Sequence, residues 1–153
     1  MLIKTNDMGS YTSDKENNPQ SVAEAAVAYD TPFKKIHLSR SGLNSAFVND
    51  LMSKYGFSKA ELARLIDVSP KTIERHFQAD KTFTGLQAER LLLLAELYQQ
   101  GSSVFGSQVK FLKWLNHEIA ALEGSKPRSW LDTHHGIQII SDEIGRIQHG
   151  IFS

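Results

Sequence analysis

The chain has 153 residues, 41% of them apolar and 22% charged, enough to bury the core of one ordinary domain or two very small ones. Seventeen basic and seventeen acidic residues give a formal net charge of zero, so any nucleic-acid binding must come from local charge placement or dimerisation rather than bulk attraction. Cysteine is absent, no apolar run approaches the ~20 residues that cross a bilayer, and Met1 to Pro19 lacks the compact apolar stretch of a secretory leader; disulfides, thiolate metal sites and a membrane span are excluded, and a cytoplasmic protein is expected.

Residues 1–35 read as a flexible N-terminal tail, polar and poor in apolar clusters, carrying one short helix. Ser21-x-x-Glu24 is a capping-box pattern that opens this helix, Val22 to Tyr29, and Pro32 ends it at the latest. A second helix is predicted over Leu43 to Tyr55, where Leu43, Phe47 and Leu51 recur every four residues, and Gly56 stops it.

Ser58-x-x-Glu61 is a second capping box, followed by Leu62, Ala63, Leu65 and Ile66, a small apolar inner face suited to a close helix crossing. Asp67 occupies a turn that calls for a positive backbone angle, which Asp tolerates with some strain. Ser69 then caps a helix with Pro70 at its first position, where the missing N–H does no harm. Ile73 and Phe77, four apart, anchor this second helix inward. Two short helices joined by a tight turn make a helix-turn-helix, whose second helix is built to enter the DNA major groove. On that reading Ser69, Lys71, Thr72, Glu74, Arg75 and Gln78 offer the donors and acceptors that meet base edges and phosphates. The unit is taken as a DNA-binding domain over residues 36–101.

Thr84-x-x-Gln87 is a third capping box, opening a leucine-rich helix from Leu86 to Gln100 that Gly101 is expected to end. Residues 102–153 follow as a C-terminal domain. Ser107 caps a helix from Gln108 to Asn116, with Val109, Leu112 and Leu115 on one face. The stretch from Gly124 to Pro127 breaks the chain, and Thr133 caps a last helix reaching Gln148. In it Ile137, Ile140, Ile144 and Ile147 are spaced three, four, three, with Ile151 extending the row; the stripe serves either as core or as a seam for a partner. No strand-period segment of useful length is found, so the fold class is all-α: a small helical bundle containing the helix-turn-helix.

His134 and His135 sit near Asp132 and His149, but adjacent helical positions diverge by about 100°, so they do not converge on one ion. No glycine-rich phosphate loop, nucleophile elbow or zinc helix motif is present. Neither catalytic residues, a metal nor a cofactor is assigned, and the chain is not read as an enzyme. Trp114 and Trp130 are read as core anchors.

Several short motifs follow one another along the chain: Ala88-Glu89-Arg90-Leu91; Val104-Phe105-Gly106 ahead of Trp114-Leu115; Ala121-Leu122-Glu123-Gly124; Lys126-Pro127; Leu131-Asp132-Thr133 with Gly136; and the run from Ile144 to Phe152. In this combination the chain beyond residue 35 resembles the MbcA/ParS/Xre antitoxins, partners of RES-domain toxins. Asp67 departs from the family's usual turn glycine, and Trp130 stands where a leucine is common.

The resemblance implies a type II antitoxin. It would bind a RES-domain toxin, an NAD-consuming enzyme of ADP-ribosyltransferase-like fold, and cover the toxin's NAD pocket with its C-terminal region. It would also repress its own operon by binding operator DNA, and self-associate as a homodimer or a higher complex with toxin. The toxin-facing residues carried over are Asp132, Thr133, Ile140, Glu143, Ile144, Arg146, Ile147, His149, Ile151, Phe152 and Ser153. Physically, a short segment bearing Phe152 and a terminal carboxylate suits a concave, anion-attracting pocket. Burying one Phe is worth only about 1.5–3 kcal/mol, so the helix face from Thr133 to Ile151 must supply most of the interface. The other reading is a stand-alone repressor of the phage type, whose C-terminal region only dimerises.

Overall fold

A computed structural model of the chain describes residues 18–28 and 31–150. The described residues form eight α-helices in the order α1 (Val22–Ala28), α2 (Pro32–Ser41), α3 (Ser45–Tyr55), α4 (Lys59–Leu65), α5 (Pro70–Gln78), α6 (Gly85–Phe105), α7 (Gln108–Leu115) and α8 (His134–Gln148), with short 3-10 turns at Ala120–Leu122 and Pro127–Trp130. Among these residues there is no strand, only isolated antiparallel bridges such as Leu43 to Phe83, and no helix is long and apolar enough to cross a membrane.

The axis of the molecule is α6. Its 21 residues would span about 31 Å, and it packs against α1, α2, α3, α7 and α8. Leu91, Leu94 and Ala95 are fully buried on it, facing Phe47 and Leu51 of α3, Phe111 of α7 and Ile140 and Ile144 of α8 within one continuous apolar cluster. Tyr55 is sealed in this cluster. Its hydroxyl donates to the Leu94 carbonyl at 2.6 Å, its ring stacks on Phe57 at 4.5 Å, and burial, reinforced by nearby Tyr98, pushes its phenol well above the usual value.

The capping signals account for most helix starts. Ser58 accepts from the Glu61 N–H at 3.1 Å, Ser69 from the Thr72 N–H at 3.1 Å, Ser107 from the Lys110 N–H at 3.1 Å and Thr133 from the Gly136 N–H at 2.9 Å. Ser21 likewise accepts from the Glu24 N–H, and the Glu24 carboxylate reaches back to the Gln20 N–H at 2.7 Å.

Several expectations about elements are corrected. The first helix spans Val22–Ala28, ahead of Pro32 as expected, but Pro32 also opens the unforeseen α2, with Thr31 as its cap, so further helical structure lies within the supposed tail. Thr84 makes no side-chain cap bond: Gly85 follows with φ 62°, and the chain enters α6 from the left-handed region. Gly101 does not end α6, which continues to Phe105 and stops at Gly106 with φ 80°. The reason lies in packing. A Cβ on Gly101 would lie 2.3 Å from the Phe111 ring, so the missing side chain is the notch that lets α7 dock. The expected division after residue 101 therefore falls inside a single helix. The α3 start also shifts, to Ser45 with Asn44 as the cap.

Candidate nucleic-acid and partner interfaces

Two surfaces carry the candidate residues. The first is the α4–α5 hairpin. Leu62, Ala63, Leu65 and Ile66 are buried on its inner side, and Ile73 is the fully buried anchor of α5. Phe77 is half-buried, edge-on to Phe83. Asp67 adopts φ 58° at the turn, as the motif requires.

With α5 pinned by that row, its other face looks outward. Ser69, Lys71, Glu74, Arg75 and Gln78 are exposed and Thr72 is half-buried. The face is partly organised already. The Ser69 and Thr72 hydroxyls are 2.9 Å apart, and Arg75 donates to the Thr72 hydroxyl at 3.4 Å. Lys59, which the sequence reading passed over, reaches across from α4, with its ammonium 3.7 Å from the Glu74 carboxylate and 5.8 Å from the centre of the Phe77 ring. Its position one residue after the Ser58 cap was the available signal. His76, on the flank of α5, stacks on Phe83 at 4.3 Å; burial lowers its pKa, and Lys81 and Arg75 add to the depression.

The second surface is α8. Ile137, Ile140 and Ile144 are buried against α6, the last two completely. Ile140 and Ile144, carried over as toxin contacts, are thereby corrected: both are inside the chain's own core and offer nothing to a partner. Ile147, next in the row, is half-buried. Ile151, Phe152 and Ser153 lie outside the described residues.

What α8 presents outward is the adjacent row. Ile139, about 200° round the helix from Ile137, is 42% exposed. Its absence from the sequence reading has a simple origin: an isoleucine out of step with a regular core row must face elsewhere. Arg146 lies seven residues on, hence on the same side. It is half-exposed and donates at 2.8 Å to Glu143, a carboxylate almost removed from solvent. Asp132, Thr133 and His149 are exposed at the two ends of the helix. On the opposite flank, Ser141 and Gln100 exchange hydrogen bonds of 2.8 and 3.1 Å that fix α8 on α6.

A groove of about 290 Å³ runs between α2, α6 and the start of α8, lined by Pro32, Ile36, Leu92, Leu93 and His134, with the Lys35–Glu96 ion pair on its rim. Among the described residues no group of three His, Asp or Glu side chains is gathered as a metal site would need.

Residues 35–96 match the family described as the antitoxin Xre-like helix-turn-helix domain, and residues 100–150 match the antitoxin Xre/MbcA/ParS C-terminal toxin-binding domain. The chain is 30% identical over 96 residues to the antitoxin Xre of Yersinia enterocolitica, covering 62% of this chain and 65% of that protein, just under two thirds of its length. It is 26% identical over 113 residues to the antitoxin Xre of Photorhabdus laumondii, covering 73% of this chain and 76% of the relative. Among solved structures, a chain of the M. tuberculosis MbcT–MbcA toxin–antitoxin complex shares the fold, with a TM-score of 0.53 at 20% identity over 69% of this chain and 94% of that one.

Proposed function

We propose that the chain, which matches antitoxin Xre-type domain models over residues 35–96 and 100–150, is the antitoxin of a type II toxin–antitoxin pair, which neutralises a RES-domain, NAD-degrading toxin and represses its own operon. The observation that carries the first half is the outward row of α8. Within a region matched to a toxin-binding domain, an exposed isoleucine, Ile139, stands beside a guanidinium held in place by Glu143. An exposed apolar anchor flanked by a pre-positioned Arg is the kind of patch that dominates interface energetics. Arg146 meets the rim of the toxin's anionic-ligand pocket. The chain beyond Gly150, bearing Phe152, enters the pocket and excludes NAD. Asp132, Thr133, Ile147 and His149 complete the contact, with Ile140 and Ile144 supporting it from beneath.

The second half rests on the exposed polar face of α5. Lys71, Thr72, Glu74, Arg75 and Gln78 read the major groove while Ser69 fixes the start of the helix. Because the formal charge of the chain is zero, a lone copy gains little from bulk electrostatics. Operator binding therefore runs through a homodimer or a toxin complex, which places two recognition helices on half-sites about 34 Å apart.

The test is co-expression with the product of the neighbouring reading frame, which this proposal expects to be a RES-domain toxin. The full chain restores growth and cellular NAD, and the two proteins co-purify. Truncation after Arg146 lets NAD fall again. A full chain that neither co-purifies nor preserves NAD would sink the antitoxin reading and leave the stand-alone repressor.

A further inference from the structure

Both ends of α4 are gripped by guanidinium groups. At its start, Arg128 forms a two-pronged ion pair with Glu61, Nε to Oε1 and Nη2 to Oε2, each 2.8 Å. The same side chain donates to the Tyr55 carbonyl at 3.0 Å and the Gly56 carbonyl at 3.3 Å, and lies 4.9 Å above the Phe57 ring. At the other end, Arg90 of α6 donates to the Leu65 carbonyl at 3.1 Å and to the Asp132 carbonyl at 2.6 Å. Arg64, also on α4, reaches the Asp132 carboxylate at 3.6 Å.

The grips at the two ends meet on one piece of chain. Arg128 and Asp132 belong to the strap over residues 126–133 that leads into α8. Within the strap Leu131 is fully buried, Trp130 donates to the Ser125 hydroxyl at 2.6 Å and Thr133 caps α8. The strap is thus bolted to both ends of a helix that belongs to the other half of the molecule.

A helix of seven residues has little stability of its own, and its principal neighbour is α5. Its angle to the rest of the molecule depends on what holds its ends. Glu61 shows the priority given to this contact: its carboxylate goes to Arg128, whereas a capping box would turn it back on the Ser58 N–H. A planar guanidinium with two prongs on a carboxylate and two more on backbone carbonyls fixes an orientation, which a single ammonium cannot.

We propose that Arg128, assisted by Arg90, is a positioning residue for operator reading: from outside the helix-turn-helix it sets the tilt at which α4 presents α5 to the major groove. The inference rests on the operator-binding reading above. Arg128 touches no DNA; its effect is on the alignment of the α5 side chains with base edges, and so on discrimination between sequences rather than on phosphate attraction.

The test uses the full chain, alone and in complex with the co-purified toxin, and two labelled duplexes, one from upstream of its own reading frame and one scrambled to the same composition. Anisotropy gives both affinities for the wild type, Arg128→Lys, Glu61→Gln and the double variant. Arg128→Lys keeps the charge and loses the fork. It should lower the ratio of own to scrambled affinity at least about fivefold, the discrimination carried by one base contact, with scrambled binding within about twofold. Glu61→Gln should give the same loss, and the double variant no more than either alone. Circular dichroism checks the fold, and if Arg128→Lys unfolds, the half-exposed Glu61→Gln decides alone. An unchanged ratio in the folded variants, or an equal fall on both duplexes, overturns the proposal. A wild type that prefers its own duplex neither alone nor in complex with the toxin overturns the operator reading itself, and this inference with it.

Discussion

The α4–α5 hairpin and α8 arrange their surfaces in different ways. In α5 one fully buried residue, Ile73, orients the helix, and five of the six candidate contacts are exposed. Contact and core are separated, so a binding variant there need not be a folding variant. In α8 the two functions interleave. Ile139 faces solvent and Ile140 is sealed, Arg146 is outside while its partner Glu143 is inside, and Gly136 at the first turn has no spare room. On α8 a shift of one position turns an interface experiment into a stability experiment.

The largest effect should come from the tightest fit on the α8 side. A Cβ on Gly136 would stand 1.8 Å from the Trp130 carbonyl oxygen, a backbone atom that cannot swing away. Gly136→Ala is expected to cost more than about 3 kcal/mol, the upper end of overpacking penalties, and to abolish toxin and operator binding together. A thermal midpoint within a few degrees of wild type would show that the strap and α8 are not locked as described.

Next comes the pair that separates core from contact on one helix. Ile140→Ala removes a fully buried side chain and should destabilise by about 2–5 kcal/mol. Ile139→Ala should leave the midpoint almost unmoved and weaken toxin binding by about 1–2 kcal/mol, within the range for an exposed apolar anchor. Calorimetry on both variants decides the matter. If Ile139→Ala binds toxin as tightly as wild type, the outward row of α8 is not the interface.

How the two regions could be read from sequence differs for the same reason. In the hairpin, local chemistry suffices: Ser58, Ser69 and a positive φ at Asp67 are each dictated by backbone groups a few residues away. Features set by distant partners were not legible. Thr31-Pro32 carries the same start signal as Ser69-Pro70, but without a strong apolar stripe behind it Pro32 reads as a stop. Gly101 has the composition of a helix end, and only the Phe111 ring, ten residues on, explains why the helix continues. The isoleucine row of α8 was read correctly as a row; whether it faces inward or outward depends on α6, which periodicity cannot supply. Arg128 and Arg90 gave no local sign, since their partners lie 67 and 25 to 42 residues away.

Smaller effects test the separation on the hairpin side. Arg75→Ala should weaken operator binding by about 1–3 kcal/mol, one base-reading contact, with the thermal midpoint almost unchanged because the side chain is exposed and its hydrogen bond to Thr72 is long at 3.4 Å. Equal operator affinity at fixed salt would remove Arg75 from the reading face. Ser69→Ala deletes the cap of α5 and should cost about 1 kcal/mol, a loss visible as faster amide exchange in α5 ahead of any change elsewhere.

The smallest effect concerns the flank of α5. His76 has a lowered pKa, chiefly because burial against Phe83 disfavours the charged ring, and Lys81 and Arg75 oppose the added charge. In the unfolded chain the same histidine titrates near its ordinary value of about 6.5. On acidification the unfolded state therefore takes up the proton first. The stability linked to this ring is complete above that value and declines as the pH falls through it toward the lower folded value. Thermal midpoints at pH 7.5 and 5.5 should show a drop in the wild type that is smaller in His76→Asn. Identical pH dependence in the two proteins would mean that the ring is as free to protonate in the fold as in the unfolded chain, and that the flank of α5 is open to solvent where the packing closes it.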